Sequence, residues 1–179
     1  MTSVFVGGSR KARINDEVRG RLENVITSGY EVLVGDANGV DKAVQRFLRE
    51  RAYPHVTVYC SGQVPRNNIG EWPLRTVAVK SSRRDRRFYS AKDRVMTTEA
   101  THGLMIWDGE SVGTLQNVVR LILHGKPVVL YAVRDRSFSN LKTMEDWRAF
   151  CSRAASEATR EAERAVRAEA PAEEQPSLW

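Results

Sequence analysis

Short apolar runs alternate with helical patterns through most of this chain, and several of the runs lead into a loop rich in glycine and hydroxyl residues. Five runs predict strands, near residues 4–6, 31–34, 56–59, 104–107 and 127–133. Between the runs, apolar side chains recur at helical spacing, as at Val18 and Leu22. This alternation predicts an α/β protein with a Rossmann-like, doubly wound, mainly parallel sheet and helices on both faces, followed by a C-terminal helix and a frayed tail.

Length and composition indicate one cytoplasmic domain. A chain of 179 residues has room for one packed core and a terminal extension. No run of about 18 apolar residues is present, and Val4 begins a strand without a basic and apolar leader before it. Cys60 and Cys151 are far apart, and no histidine or cysteine cluster has metal-ligand spacing. We expect a protein without a metal, in a reducing compartment and away from membranes.

The sequence after residue 142 has its own pattern, so we divide the chain into a domain at 1–142, a C-terminal helix at 143–169 and a disordered tail at 170–179. An apolar stripe opens the helix and contains Met144, Trp147, Phe150, Cys151 and Ala154. The stripe suits packing on the domain or on a second subunit, and we expect a homo-oligomer. Beyond Ser156 only alanine remains among alternating glutamate and arginine, which predicts a solvated helix.

A loop at 109–114, between a strand and a helix, indicates an anion site. Backbone N–H groups at a helix start lack helical partners, and the helix dipole adds partial positive charge there. Gly109 and Gly113 permit close approach of a ligand, Ser111 offers a hydroxyl, and Thr114 can cap the helix and contact the same anion. The bound group is predicted to be a phosphate or a sugar phosphate.

A second loop of this kind follows the first predicted strand. Gly7 and Gly8 allow close approach, Ser9 supplies a hydroxyl, and Arg10 a planar fork for a phosphate. If the chain crosses over after its third strand, this loop and the loop at 109–114 become neighbours at the switch point of the sheet, where doubly wound folds bind ligands. Because neither G-x-x-x-x-G-K-[ST] nor G-x-G-x-x-G is present, ordinary ATPase and dehydrogenase functions are disfavoured and no cofactor is expected.

Three motifs in this order resemble the SLOG superfamily. They are Gly8-Ser9-Arg10, Gly35-Asp36-Ala37-Asn38-Gly39-Val40-Asp41 and Gly109-Glu110-Ser111-Val112-Gly113-Thr114. The likeness spans residues 4–133 and is greatest to the YspA-like branch; the superfamily also includes the lonely-guy phosphoribohydrolases and the DNA-processing protein of natural transformation. The resemblance implies a Rossmann-like domain that binds a nucleotide or nucleotide-derived ligand. The predicted ligand-binding residues are Gly7, Gly8, Ser9, Arg10, Gly35, Asp36, Asp41, Gly109, Ser111, Gly113, Thr114 and Asn117.

Hydrolysis of an N-glycosidic bond is a weaker implication of the same resemblance. In the lonely-guy enzymes a catalytic glutamate follows the phosphate loop, and Asn117 stands at that position here. An amide is neither a general base nor a charge that stabilises an oxocarbenium ion. The arginine of the preceding helix in those enzymes has a loose counterpart in Arg94.

Other carboxylates offer replacements for the missing glutamate. Asp108 suits a ribose hydroxyl or a base edge, and Asp93 begins a helix beside the predicted pocket, although Asp93 also fits a capping box with Ser90. Asp41 likewise fits either a ligand contact or a cap on its own helix. The predicted catalytic residues are Asp108, Arg94 and Asp93.

The net charge of +6 is concentrated in one stretch that leaves several functions open. Its basic residues are Arg75, Lys80, Arg83, Arg84, Arg86, Arg87, Lys92 and Arg94. Such a stretch is a solvated loop, a phosphate clamp or a nucleic-acid contact. Trp72 and Tyr89 flank the irregular region near the pocket and suit a base-stacking wall. The sequence thus supports a nucleotide-acting enzyme, a non-catalytic nucleotide sensor or carrier, and, with less support, a DNA-binding protein.

Overall fold

A seven-stranded sheet forms the centre of the computed structural model, which describes residues 1–79 and 84–169. The strands are β1 (Ser3–Gly8), β2 (Glu31–Gly35), β3 (Val56–Ser61), β4 (Leu74–Val77), β5 (His102–Trp107), β6 (Val128–Ala132) and β7 (Ser137–Leu141). Their order is β4-β3-β2-β1-β5-β6-β7, and every neighbouring pair is parallel except β6 and β7. The predicted fold class is confirmed.

Six helices accompany the sheet within the described ranges. They are α1 (Asp16–Thr27), α2 (Val40–Glu50), α3 (Arg86–Glu99), α4 (Val112–Leu123), α5 (Met144–Ala154) and α6 (Glu157–Arg167). Successive strand residues point to opposite faces. Accordingly, Phe5 of β1 belongs to the core beneath α3, α4, α5 and α6, whereas Val4 and Val6 belong to the core beneath α1 and α2. Helices therefore cover both faces, as predicted.

The sheet changes winding direction between β1 and β5. The chain builds outward from β1 to β4 and then returns through α3 to place β5 on the other side of β1. The register sets Val6 against Leu104 and Gly8 against Ile106. The two predicted phosphate loops, which follow these strands, are therefore neighbours, although the return comes after β4 and not after the third strand.

The prediction of one helix over 143–169 was wrong, because two helices occupy this region. Ala155 adopts a left-handed conformation with φ of 44°, and the Ser156 side chain then accepts from Ala158 N to begin α6. Nor is α6 solvated all round: Ala162 and Val166 are buried where α6 packs on α4. Small alanine side chains let the two helices approach closely. The alanine-rich face of α6, which the sequence predicts to be solvated, therefore packs against α4.

Other boundaries differ locally from the predictions. Helix α3 begins after Asp85, whose side chain accepts from Phe88 N at 3.0 Å, and not at Ser90, whose hydroxyl donates to Arg87 O. Strand β7 was not predicted.

Trp147 is fully buried within the chain, so the apolar stripe packs on the domain. The homo-oligomer stays a prediction. Across the described ranges, no helix has the length and apolarity to cross a membrane. The predicted tail at 170–179 lies outside those ranges, as do Lys80 and Arg83.

Candidate functional site

A cleft of about 810 Å³ opens at the carboxyl ends of β1, β2 and β5. Its walls include Gly7 and Gly8 from the end of β1, Asp41 from the start of α2, and the β5–α4 loop. The cleft therefore lies at the switch point between β1 and β5, where open parallel sheets bind ligands. Its volume suits a ligand of nucleotide size, since small-molecule sites measure roughly 300–1,000 Å³.

Ser9 ties the two glycine loops to each other. Its backbone N–H donates to Ile106 O at 2.9 Å, and its Oγ accepts from Asp108 N at 3.1 Å. The same Oγ lies 3.1 Å from Thr114 Oγ1. Because Ser9 is only 1 % exposed, it supports the cleft from behind. Thr114, by contrast, forms part of the cleft wall.

The first turn of α4 presents backbone donors to the cleft. Ser111 caps the helix, and its Oγ accepts from Thr114 N at 3.4 Å. Val112 and Gly113 are the first two residues of α4, and both line the cleft. Their backbone N–H groups have no hydrogen-bond acceptor among the described residues. Free N–H groups at the positive end of a helix are ready to bind an anion.

Gly109 shapes the loop from its outer side. Its φ is +93°, and a Cβ there would lie 2.7 Å from Arg134 Cδ. Arg134 covers this glycine and pairs with the exposed Glu110 carboxylate. The positive φ at this position therefore favours glycine, and Gly109 does not form part of the cleft wall.

Asp108 lies in the cleft wall with one carboxylate oxygen already used. Its Oδ1 accepts from Glu110 N at 3.0 Å and from Ser111 N at 2.8 Å. Partial burial raises the pKa of Asp108, but these backbone donors outweigh it and hold the pKa below its usual range. The carboxylate is therefore ionised at neutral pH and fixes the loop.

A buried ion pair supports the β2 side of the cleft. Asp36 is 2 % exposed, and both of its oxygens accept from the Arg66 guanidinium, at 3.0 Å from Nε and 2.7 Å from Nη2. Burial raises the pKa of Asp36, but Arg66 outweighs it and keeps the pKa below the usual range. The guanidinium lies over the Tyr89 ring at 4.3 Å from its centroid. Asp36 thus orients Arg66, which lines the cleft although the sequence favours a turn over a ligand-lining segment at 66–68.

Lys92 and two carboxylates form a buried charged cluster in the same cleft. Lys92 Nζ lies 2.6 Å from Asp93 Oδ1 and 3.6 Å from Asp41 Oδ2. Burial opposes the charged form of Lys92, yet both carboxylates raise its pKa, so the lysine stays protonated. For Asp41, burial outweighs the lysine and raises the pKa to about 6. A Cβ at Gly35 would lie 2.2 Å from Asp41 Oδ2, so glycine is required at that position.

The structure brings most of the predicted ligand-binding and catalytic residues to one cleft. Those in its wall are Gly7, Gly8, Arg10, Asp41, Asp93, Asp108, Ser111, Gly113, Thr114 and Asn117. Those outside the wall but adjoining it are Ser9, Gly35, Asp36 and Gly109, which support it through the contacts described above. Arg94 does not line the cleft and pairs with Glu169 at 3.0 Å. The placement of Arg94 therefore gives no support to a catalytic role.

Asn117 of the second turn of α4 and Arg120 of the third turn both line the cleft. Arg120 is buried; its Nη1 donates to Asn117 Oδ1 at 2.8 Å, and its other nitrogens bind the Glu169 carboxylate. The sequence analysis missed Arg120, although its position one turn after Asn117 puts both on one helix face. Lys92 was not predicted as a site residue, because its partner Asp93 lies within an apparent capping box. For Arg66 the sequence favours a turn, because its partner Asp36 lies 30 residues away.

The basic stretch is not one continuous basic surface. Arg75 pairs with Glu99 at 3.2 Å, Lys92 is buried against Asp93, and Arg94 pairs with Glu169. Arg84 lines the cleft. Of the predicted aromatic wall, Tyr89 lines the cleft, while Trp72 donates from Nε1 to Tyr53 O and packs with the α2-side core.

No protein-family model and no curated protein matches this chain. The resemblance to the SLOG superfamily thus depends on the three short motifs and their order.

Glu169 gives the cleft region an acid-sensitive contact. Partial burial raises its pKa, but Arg120 and Arg94 outweigh this and lower the pKa from 4.5 to about 2. A carboxylate whose pKa falls on folding stabilises the folded state above its unfolded pKa, and this stability is lost as pH falls toward 2. We expect Glu169→Gln to show a melting temperature that falls less between pH 5 and pH 3 than that of wild type, by about 2–4 °C. The exposed Glu161→Gln on α6 is the control, and equal acid sensitivity in all three proteins would contradict the assignment.

Proposed function

We propose that this chain binds a nucleotide or nucleotide-derived phosphate ester in the cleft between the β1–α1 and β5–α4 loops. The observation that carries the proposal is the pairing of β1 with β5, which sets the two glycine loops side by side and points the first turn of α4 into the cleft. A phosphate placed there accepts from the N–H groups of Val112 and Gly113.

The charges around the cleft support the same ligand class. Arg10, Lys11 and Arg84 all line it, and each is exposed to solvent. Arginine and lysine at the rim attract and bind phosphate groups. On the other side, Asp41 and Asp93 provide carboxylate oxygens, which accept from sugar hydroxyls or from the amino groups of a base. A ligand with an anionic end and a hydroxyl-rich or amine-bearing end matches this distribution.

Ligand binding is expected to raise the melting temperature, because a ligand that binds only the native state stabilises it. We test AMP, CMP, NAD and ADP-ribose by thermal shift. A ligand present at about 100 times its Kd adds about 2.7 kcal/mol, or roughly 5 °C or more. Arg10→Ala should reduce the shift to near zero without lowering the melting temperature of the free protein, since Arg10 is exposed. The matched control is the exposed Arg13→Ala, which lies outside the cleft wall.

A melting temperature that none of the four compounds changes at millimolar concentration would contradict the proposal, because it would show that the cleft binds none of them. An equal loss of the shift in Arg10→Ala and Arg13→Ala would also count against it, because it would place the ligand elsewhere.

A second candidate function, hydrolysis of an N-glycosidic bond, is favoured by the position of Asp93. Its side chain is 24 % exposed at the cleft and is fixed by Lys92. In this reaction water adds to the anomeric carbon, and the bond to the base breaks to give a free base and a sugar phosphate. A carboxylate held beside the sugar can take a proton from that water or stabilise the developing positive charge. In the absence of turnover, the same site serves as a sensor or carrier of the nucleotide.

Turnover is measured as free base released from the same four compounds, separated by chromatography. The enzyme hypothesis predicts product with wild type and a fall in rate of roughly 100-fold or more with Asp93→Asn. The exposed Asp135→Asn, outside the cleft, should keep the full rate. Stabilisation by a nucleotide without any free base would overturn the hydrolase hypothesis and leave the binding function in place.

A further inference from the structure

Asn117 is a buried polar side chain whose amide oxygen accepts a hydrogen bond and whose amide nitrogen has no partner among the described residues. It is 6 % exposed and lines the cleft from the second turn of α4. Its Oδ1 accepts from Arg120 Nη1 at 2.8 Å. Since a guanidinium group only donates, the atom that faces Arg120 must be the amide oxygen. The NH₂ group of Asn117 therefore points away from Arg120.

That NH₂ group reaches the open cleft. Asn117 Nδ2 has no hydrogen-bond partner among the described residues. Among the described residues, Trp107 Nε1 is the fully buried side-chain nitrogen or oxygen that lacks a hydrogen-bond partner. Asn117 Nδ2 also lacks a partner but is not fully buried, so it is accessible from the cleft. Helical side chains lean toward the N-terminus of their helix, which brings Asn117 toward Gly113 and Thr114 at the anion site.

Arg120 is held in place by the carboxylate of Glu169. Its Nε and Nη2 donate to the two oxygens of Glu169, at 3.0 and 2.8 Å, in the fork geometry typical of strong arginine–carboxylate pairs. Arg94 of α3 donates to the same carboxylate. Glu169 follows α6, which packs on α4. Three segments thus fix the orientation of one amide.

We propose that Asn117 contacts the ligand by donating from Nδ2 to a phosphate oxygen, and that Arg120 and Glu169 are positioning residues that set the direction of its amide. This inference rests on the proposed function and names a residue of that same site. On this proposal, the amide that stands at the glutamate position of the lonely-guy motif supplies a neutral hydrogen-bond donor to the anion. On this proposal, the segment that follows α6 supports the binding site through Glu169.

Asn117→Asp separates a ligand contact from a purely structural one. One oxygen of the new carboxylate still accepts from Arg120, so the free protein keeps its melting temperature. The other oxygen replaces the donor with a negative charge beside the phosphate. We expect Kd for AMP to rise roughly tenfold or more in isothermal titration, with the same trend for inorganic phosphate. Asn24→Asp, the same chemical change on the exposed side of α1, should leave Kd unchanged.

Combining Glu169→Gln with Asn117→Asp tests the positioning role, because the two effects on Kd add only if they are independent. Glu169→Gln alone should raise Kd for AMP about threefold, because Arg120 loses its charged partner and the amide is less firmly held. In the Asn117→Asp background the same substitution should have no further effect on Kd, since it acts through Asn117. A purely structural Glu169 would change Kd by the same factor in both backgrounds.

The outcomes distinguish this inference from the proposed function. Weaker binding by Asn117→Asp with an unchanged melting temperature, together with a non-additive Glu169→Gln effect, supports it. Equal AMP affinity in wild type and Asn117→Asp overturns it and leaves the proposed function standing. Failure of wild type to bind AMP, CMP, NAD, ADP-ribose or inorganic phosphate overturns both.

Discussion

Lys92→Met is expected to lower the free energy of unfolding at pH 7 by about 3 kcal/mol or more. The lysine is buried, and its ammonium is shared by Asp93 and Asp41. Methionine keeps most of the volume but leaves two neighbouring carboxylates without their cation. Removal of one partner from a buried ionic group costs about 3–5 kcal/mol, because the remaining charge stays desolvated. Urea unfolding measures the loss directly.

The loss should be smaller at pH 5 than at pH 7. The pKa of Asp41 is already raised to about 6, and removal of Lys92 raises it further, so at pH 5 this carboxyl is mostly neutral. A protonated Asp41 neither repels Asp93 nor needs a cation. Lys142→Met, at an exposed lysine, is the control and should change stability by less than about 0.5 kcal/mol at either pH. A Lys92→Met protein as stable as this control would contradict the description of the cluster.

Gly8→Ala is expected to destabilise the protein by about 1–3 kcal/mol and to abolish ligand-induced stabilisation. A Cβ at Gly8 would lie 2.3 Å from Ile106 O and 3.0 Å from Val40 Cγ2. Ile106 O is a backbone atom of the adjacent strand and already accepts from Ser9 N, so the new methyl group forces β1 and β5 apart. The glycine loops separate at the point where the ligand is proposed to bind.

Gly20→Ala provides the matched control for this substitution. Gly20 lies within α1, and a Cβ there would have no atom within 4 Å. Because glycine inside a helix is less favourable than alanine, the control should gain roughly 0.5–1 kcal/mol. Thermal unfolding with and without AMP measures both effects. A Gly8→Ala protein that is as stable as wild type and still binds AMP would show that the close approach of β1 to β5 is not required.

Helix caps depend on residues close together in the sequence and can therefore be predicted from it. Asn15 caps α1 by accepting from Val18 N, and Thr143 caps α5 within a capping box, so each cap is formed by residues no more than three positions apart. The meeting of the two phosphate loops was also predictable, since it follows from strand order in a doubly wound sheet. The exact start of α3 was not, because Asp85 and Ser90 both stand where a cap is chemically suitable.

Contacts between distant residues were not predictable. The contact of Arg120 with Glu169 joins positions 49 residues apart and requires α6 to lie on α4. Arg94 looked suitable for the cleft, but α3 directs it to Glu169. Lys92 looked like one charge in a solvated stretch, yet it is buried. In each case, the packing of a helix decided the role of a charged residue, and a single sequence does not specify that packing.

The central claim is that a phosphate ester binds where the β1–α1 and β5–α4 loops meet, and a nuclear magnetic resonance titration of the ¹⁵N-labelled chain with AMP tests it most directly. We expect the largest amide shifts at Val112, Gly113 and Thr114, with smaller ones at Gly8 and Arg10. Amides at the opposite end of the sheet, such as that of Asn140, should stay unchanged. Saturable shifts confined to residues away from these loops, or no shifts at millimolar AMP, would contradict the claim.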